Sequence, residues 1–217
     1  MSGLLTGFPQ QLQGGRIISL FRYIMGMMQT VKTVAPRVTH ARFAHPARNI
    51  AGIGITPGMK VADFGSGSGA YTLAIAEALC NSGHVYAIDV QRDLLRRTKN
   101  EAQKRGFKNV EAVWGDLERP GGSKIADGAL DAVLISNLLF QVEGKSAILE
   151  EALRILKPQG RLVIIDWSDS FRGMGPRKED VVMRETALSL AEKSGFKLDR
   201  EFPTGAHHYG LILRKKQ

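Results

Sequence analysis

Acidic residues are missing from the first 62 positions of this 217-residue chain. The same stretch carries seven basic ones, Arg16, Arg22, Lys32, Arg37, Arg42, Arg48 and Lys60, so it holds +7 of a net charge of +9, and the other 23 basic and 21 acidic residues nearly cancel. A basic arm of this kind suits nucleic acid, anionic lipid or the acidic face of a protein, and charge alone does not choose among them. Cysteine is almost absent. Cys80 stands alone, which excludes an internal disulfide or a multi-cysteine metal site and fits a reducing cytoplasm. No uncharged apolar run approaches the roughly 20 residues of a membrane span, which argues against an integral membrane protein. With 43% hydrophobic and 24% charged residues, the length suits one well-buried domain with an elaboration better than two independent ones.

From residue 59 onward, short β-like runs alternate with helix-like segments. MKVADF, HVYAID, VEAVWG, DAVLIS and RLVIID read as strands, with helices over 70–80, 91–105 and 145–157, the last stopped by Pro158. This alternation predicts an α/β fold, a parallel sheet covered by helices on both faces. A further helix closes at Gly195, and FKLDREF and HYGLILR then read as an antiparallel hairpin. Upstream, IISLFRYIMGMMQTV (17–31) places Ile17, Leu20, Ile24, Met28 and Val31 on one helical face. Such a helix packs on the domain or on a second copy of it as a homodimer. A methionine-rich substrate lid, a membrane-surface helix and a targeting peptide are the alternatives.

The chemistry concentrates at strand ends. VADFGSGSGAY follows the first strand with Gly65, Gly67 and Gly69 at alternate positions. Glycines there let a ligand approach the backbone. A dinucleotide loop reads G-x-G-x-x-G, whereas this one is D-x-G-x-G-x-G, and Asp63 would repel a pyrophosphate. The same carboxylate suits a cationic amino group such as that of S-adenosylmethionine. Asp89 ends the second strand, where a carboxylate takes the hydroxyls of a ribose. Asp116 ends the third, where an acceptor side chain and the next N–H can read an adenine edge.

These segments resemble the class I S-adenosylmethionine-dependent methyltransferases over roughly residues 45–217. VADFGSGSG is similar to their first motif, AID at Asp89 to the second, and Gly115–Asp116 to the third, while LDAVLISNLLFQV and LRILKPQGRLVIID resemble the fourth and fifth strands. The layout is similar to the small-molecule branch that includes quinone-biosynthesis methyltransferases. The resemblance implies a Rossmann-like doubly wound, mostly parallel seven-stranded sheet with an antiparallel last strand. A methyltransferase domain would cover 46–217, preceded by a basic, partly helical N-terminal extension over 1–45. It also implies S-adenosylmethionine as cofactor, S-adenosylhomocysteine as product, and cofactor contacts at Asp63, Gly65, Ser66, Gly67, Gly69, Asp89, Val90, Asp116, Leu117 and Asn137.

Departures from the family narrow the acceptor. SNLLF at the fourth strand's end lacks the Asn-Pro-Pro-Tyr type of motif associated with methylating exocyclic amines of bases. A single cysteine speaks against arsenite, and Ser136 and Asn137 stand where a metal-dependent catechol enzyme wants a carboxylate, so no metal is expected. The expected activity is in-line methyl transfer to a small-molecule acceptor, with His207, His208 and Asp166 as candidate proton acceptors. Three rival readings remain: an RNA or protein methyltransferase using the basic arm, a non-catalytic S-adenosylmethionine-binding module, and an NAD oxidoreductase.

Overall fold

A computed structural model describes residues 44–216 except 172 and 174. The expected helix over 17–31, with its lid, packing and dimer readings, lies outside the described residues, as does nearly all of the 1–45 extension. Seven strands form one sheet in the order β3-β2-β1-β4-β5-β7-β6. They are β1 (Lys60–Phe64), β2 (His84–Asp89), β3 (Val110–Trp114), β4 (Leu130–Ser136), β5 (Leu156–Trp167), β6 (Phe196–Glu201) and β7 (His208–Lys215). The first five pair in parallel, and β7 runs antiparallel to both β5 and β6. The expected α/β sheet and its terminal hairpin are therefore present.

Among the described residues, five α-helices cover the sheet: α1 (Pro46–Ile53), α2 (Ala70–Ala78), α3 (Arg92–Lys104), α4 (Lys145–Ile155) and α5 (Arg184–Lys193). Alternation along β1 shows how both faces are buried. Ala62 and Phe64 join a cluster with Ile148, Leu149 and Ala152 of α4 and Ala187 and Ala191 of α5. Val61, from the same strand, joins Ile50 and Ile53 of α1 and Ile75 and Ala76 of α2. Successive strand residues point to opposite faces, so a strand sandwiched between helix layers must be apolar at nearly every position.

Helix α4 stops at Ile155, earlier than the 145–157 pattern suggested. Leu156 is already extended (ψ 139°) and pairs with Leu130 of β4, and the ladder then breaks its register before resuming at Ala132 and Arg161. Strand pairing thus claims the residues before Pro158. Helix α1 was not anticipated at all. Pro46 occupies its first turn, where a fixed φ and a missing N–H cost nothing, and Gly54 ends it at φ 76°. It has no basic residue in its own last turn. Arg200 donates instead to Gly52 O at 2.9 Å and Arg161 to Gly54 O at 2.6 Å, placing two cations at the negative end of the helix.

The strand order reverses between β1 and β4, and ligands in open parallel sheets bind at the carboxyl ends beside such a switch. The loops after β1 and β4 are therefore the place to look.

Candidate functional site

The loop after β1 is tied to β2 through its own amides. Gly65 N and Ser66 N both donate to Ile88 O, at 2.9 and 3.1 Å, and Gly67 N donates to the Asp89 carboxylate at 2.9 Å. Gln91 N donates to the other Asp89 oxygen at 2.8 Å, so this 7%-exposed carboxylate is fixed before any ligand arrives. Gly69 caps α2 at φ 81°, and a Cβ there would lie 2.5 Å from Thr98 Oγ1 on α3. At Gly67 (φ 52°) an added Cβ would meet only Gly65 O, at 3.8 Å, so the backbone here faces open space.

Two cavities share this loop. The smaller, about 300 Å³, lies over the ends of β2 and β3 and is lined by Gly65, Gly67, Asp89, Val90, Asp116 and Leu117, among others. The larger, about 610 Å³, lies towards β4, β5 and β7 and includes Asp63, Ser66, Tyr71, Asn137, Trp167 and His208. Of the ten expected cofactor contacts, nine line one or both cavities; the tenth, Gly69, shapes the loop from behind.

Asp63 is 2% exposed and accepts a 2.6 Å hydrogen bond from Thr72 Oγ1. Burial pushes its carboxyl up to about 7, against the pull of that hydrogen bond. Asp116 is placed at the mouth of the smaller cavity, but Arg119 Nε holds its carboxylate at 3.0 Å and Glu118 N donates to it at 3.1 Å. Asn137 sits at φ 53°, donates its backbone N–H to Ile165 O at 2.8 Å, and leaves its buried Oδ1 without a partner.

The three candidate proton acceptors separate. Asp166 is 1% exposed and lines neither cavity; it accepts from Leu139 N at 3.0 Å and Trp167 N at 2.8 Å, so it buttresses the turn after β4. Burial raises its carboxyl to about 6. His207 also lies outside both cavity linings, with Nδ1 2.8 Å from Asp169 Oδ1 and its ring 4.1 Å from that of Phe171. His208 alone lines the larger cavity. It pairs with Trp167 across the β5–β7 ladder, its ring 4.2 Å from the indole, and neither ring nitrogen has a hydrogen-bond partner. Burial, reinforced by His207, lowers it to about 4, so the imidazole is neutral at pH 7.

Sequence reasoning missed Tyr71, Trp167 and Asn49. Tyr71 stands in the quoted glycine motif and Trp167 ends a strand, so both carried a signal. Asn49 belongs to the unanticipated α1. Among the described residues no group of three or more His, Cys, Asp or Glu is placed to hold a metal.

A family model described as a methyltransferase domain matches residues 55–204. The chain is 32% identical over 115 residues to the demethylmenaquinone methyltransferase of Anoxybacillus flavithermus, covering 52% of this chain and 47% of the relative. It is 34% identical over 139 residues to the arsenite methyltransferase of Aquipseudomonas alcaligenes, covering 62% and 40%. The chain thus spans less than half the length of these two relatives. The crystal structure of a SAM-dependent methyltransferase from Aquifex aeolicus superposes with a TM-score of 0.72 at 27% identity, over 79% of this chain and 90% of that one.

Proposed function

Because the chain belongs to the methyltransferase domain family, we propose that it transfers a methyl group from S-adenosylmethionine to a small-molecule acceptor. The observation that carries this reading is the pair of cavities sharing one glycine loop, with a carboxylate for a ribose in one and a buried carboxylate for an amino group in the other. The site fits that ligand. Gly67 leaves the space a Cβ would fill, and the buried oxygens Ser66 Oγ and Asn137 Oδ1 await partners. When bound, S-adenosylmethionine supplies a methyl group already activated by its sulfonium.

The chain's own residues then have separable tasks. Asp89, held by Gly67 and Gln91, takes the ribose hydroxyls on its remaining lone pairs. Val90, Leu117 and the backbone around Asp116 enclose the base, whereas the Asp116 carboxylate is already engaged by Arg119. Asp63 faces the amino group. On the acceptor side, His208 is neutral, packs at a tilt against Trp167 and has both ring nitrogens without a hydrogen-bond partner, so we assign it, rather than His207 or Asp166, to accept or orient a proton of the acceptor. Alignment of the reacting atoms is worth roughly 7–11 kcal/mol, and a base is needed only where the nucleophile must lose a proton.

The relatives suggest two acceptors, a quinone-type ring and arsenite. The cavity favours an organic ring: Trp167, Tyr71 and His208 line it, and Cys80 lines neither cavity. Among the described residues no helix is long and apolar enough to cross a membrane. Calorimetry tests the cofactor assignment. S-adenosylmethionine and S-adenosylhomocysteine are expected to bind and NAD not to; tight NAD binding with no S-adenosylhomocysteine binding overturns it.

A further inference from the structure

The Tyr71 hydroxyl and Asn49 form a hydrogen-bonded pair that the assignments above leave unused. Tyr71 stands in the first turn of α2, is 8% exposed and lines the larger cavity. Its hydroxyl oxygen accepts a 2.8 Å hydrogen bond from Asn49 Nδ2 of α1, and Asn49 is itself 3% exposed. A phenol that accepts on one side presents its hydrogen on the other. Burial raises the Tyr71 pKa against the pull of the Asn49 and Ser136 side chains, and the Asp63 charge adds to the rise, so the hydroxyl keeps its proton at neutral pH.

An amino-acid group is zwitterionic, and its ammonium and carboxylate are separated by a single carbon. A site that offers Asp63 to the ammonium must offer donors to the carboxylate close by. The Thr72 hydroxyl is spent on Asp63. No Lys or Arg lines this cavity among the described residues. Neutral donors remain: the hydroxyls of Tyr71, Ser66, Ser68 and Ser136 all border this cavity, and of these only the Tyr71 hydroxyl is held by a buried side-chain amide. Resting on the S-adenosylmethionine assignment, we propose that Tyr71, positioned by Asn49, donates its hydroxyl hydrogen to the carboxylate at the amino-acid end of the cofactor. Asn49 touches no ligand in this scheme. It fixes the phenol, and Arg161 and Arg200 fix the helix that carries it.

The test compares S-adenosylhomocysteine, which has the amino-acid end, with 5′-methylthioadenosine, which lacks it, by calorimetry on the full chain. Tyr71→Phe is expected to weaken S-adenosylhomocysteine about tenfold, the loss of one hydrogen bond to a charged group, and to leave methylthioadenosine within about twofold. Asn49→Leu should act in the same direction, and the double variant should be no weaker than Tyr71→Phe alone. Asn49→Asp is the second probe. Its carboxylate draws the phenol hydrogen away from the ligand, so it should weaken S-adenosylhomocysteine selectively as well. Equal weakening of both ligands, or unchanged S-adenosylhomocysteine affinity in the folded variants, overturns the proposal. If the parent chain binds neither nucleoside, the S-adenosylmethionine assignment itself fails and this proposal falls with it. If the parent binds both equally well, the amino-acid end is unread, and this proposal is lost together with the Asp63 contact while the methyltransferase assignment stands.

Discussion

The two cavities differ in how their polar linings are bonded. On the β1–β3 side the carboxylates are already wired: Asp89 holds the Gly67 and Gln91 amides, and Asp116 holds Arg119 and the Glu118 amide. On the β4–β7 side the cavity is bordered by buried atoms with nothing to bond, Asn137 Oδ1 and both nitrogens of His208. Leaving a buried polar atom unpaired costs about 1–3 kcal/mol, so such atoms mark where a partner is missing. The first half is preorganised for one ligand. The second leaves polar atoms waiting: in the function proposed above, Asn137 Oδ1 awaits the cofactor and His208 the acceptor.

The largest effect is expected from breaking the wired half at its hinge. Gly69→Ala forces a Cβ into the left-handed region at φ 81° and drives it to 2.5 Å from Thr98 Oγ1, whose residue is fully buried. Backbone strain and overpacking together should cost about 2–4 kcal/mol of stability, read as a lower urea midpoint. Gly67→Ala is the control. It also has positive φ but no close neighbour, so it should hold its stability better while losing cofactor affinity. Equal midpoints for the two variants would show that the loop is not packed against α3 in solution.

Next in size is Asp89→Ala, expected to weaken S-adenosylhomocysteine by about 1–3 kcal/mol in calorimetry. The change also removes the acceptor for Gly67 N and Gln91 N, so part of the loss is preorganisation. Asp116→Ala should cost less, because its carboxylate is already occupied by Arg119. Matching losses would mean that both carboxylates touch the ligand directly and that prior wiring does not predict ligand contact.

This asymmetry also explains what was legible in the sequence. That Asp63 and Asp89 reach the cavities was readable because each lies at or one residue before a strand's end and the glycine loop beside them is a local pattern. The acceptor side depends on long-range pairing. That His208 rather than His207 enters the cavity follows from the β5–β7 register opposite Trp167, which no local pattern encodes. Asp166 was a candidate proton acceptor from its place near the end of the fifth strand, yet the turn after β4 folds back and spends its oxygens on backbone amides. Helix α1 is only eight residues long and follows a basic, acid-free stretch. Its Pro46 start and Gly54 stop are visible once the helix is known, but two turns carry too little periodicity to announce one.

The smallest effect separates the halves by proton linkage. Asp63 titrates near 7 in the fold against an ordinary 3.8, so the stability it contributes is complete below 3.8 and lost as pH rises through 7. His208 titrates near 4 against an ordinary 6.5, so its contribution is complete above 6.5 and lost as pH falls through 4. Where the two windows overlap, the slopes have opposite signs, each at most about 1.4 kcal/mol per pH unit, and they offset one another in the parent. Asp63→Asn should therefore tilt the stability curve upward with pH relative to the parent. His208→Gln should tilt it downward over the same range, where the raised carboxyl of Asp166 already pulls that way. Urea melts at half-unit pH steps from 4.5 to 6.5 read both tilts. Saturating S-adenosylhomocysteine sharpens the contrast, because an ammonium beside Asp63 favours its ionised form and should reduce the Asp63 tilt while leaving that of His208 in place. If the ligand erases both tilts equally, the two cavities behave as one electrostatic unit and the division between a wired half and a waiting half does not hold.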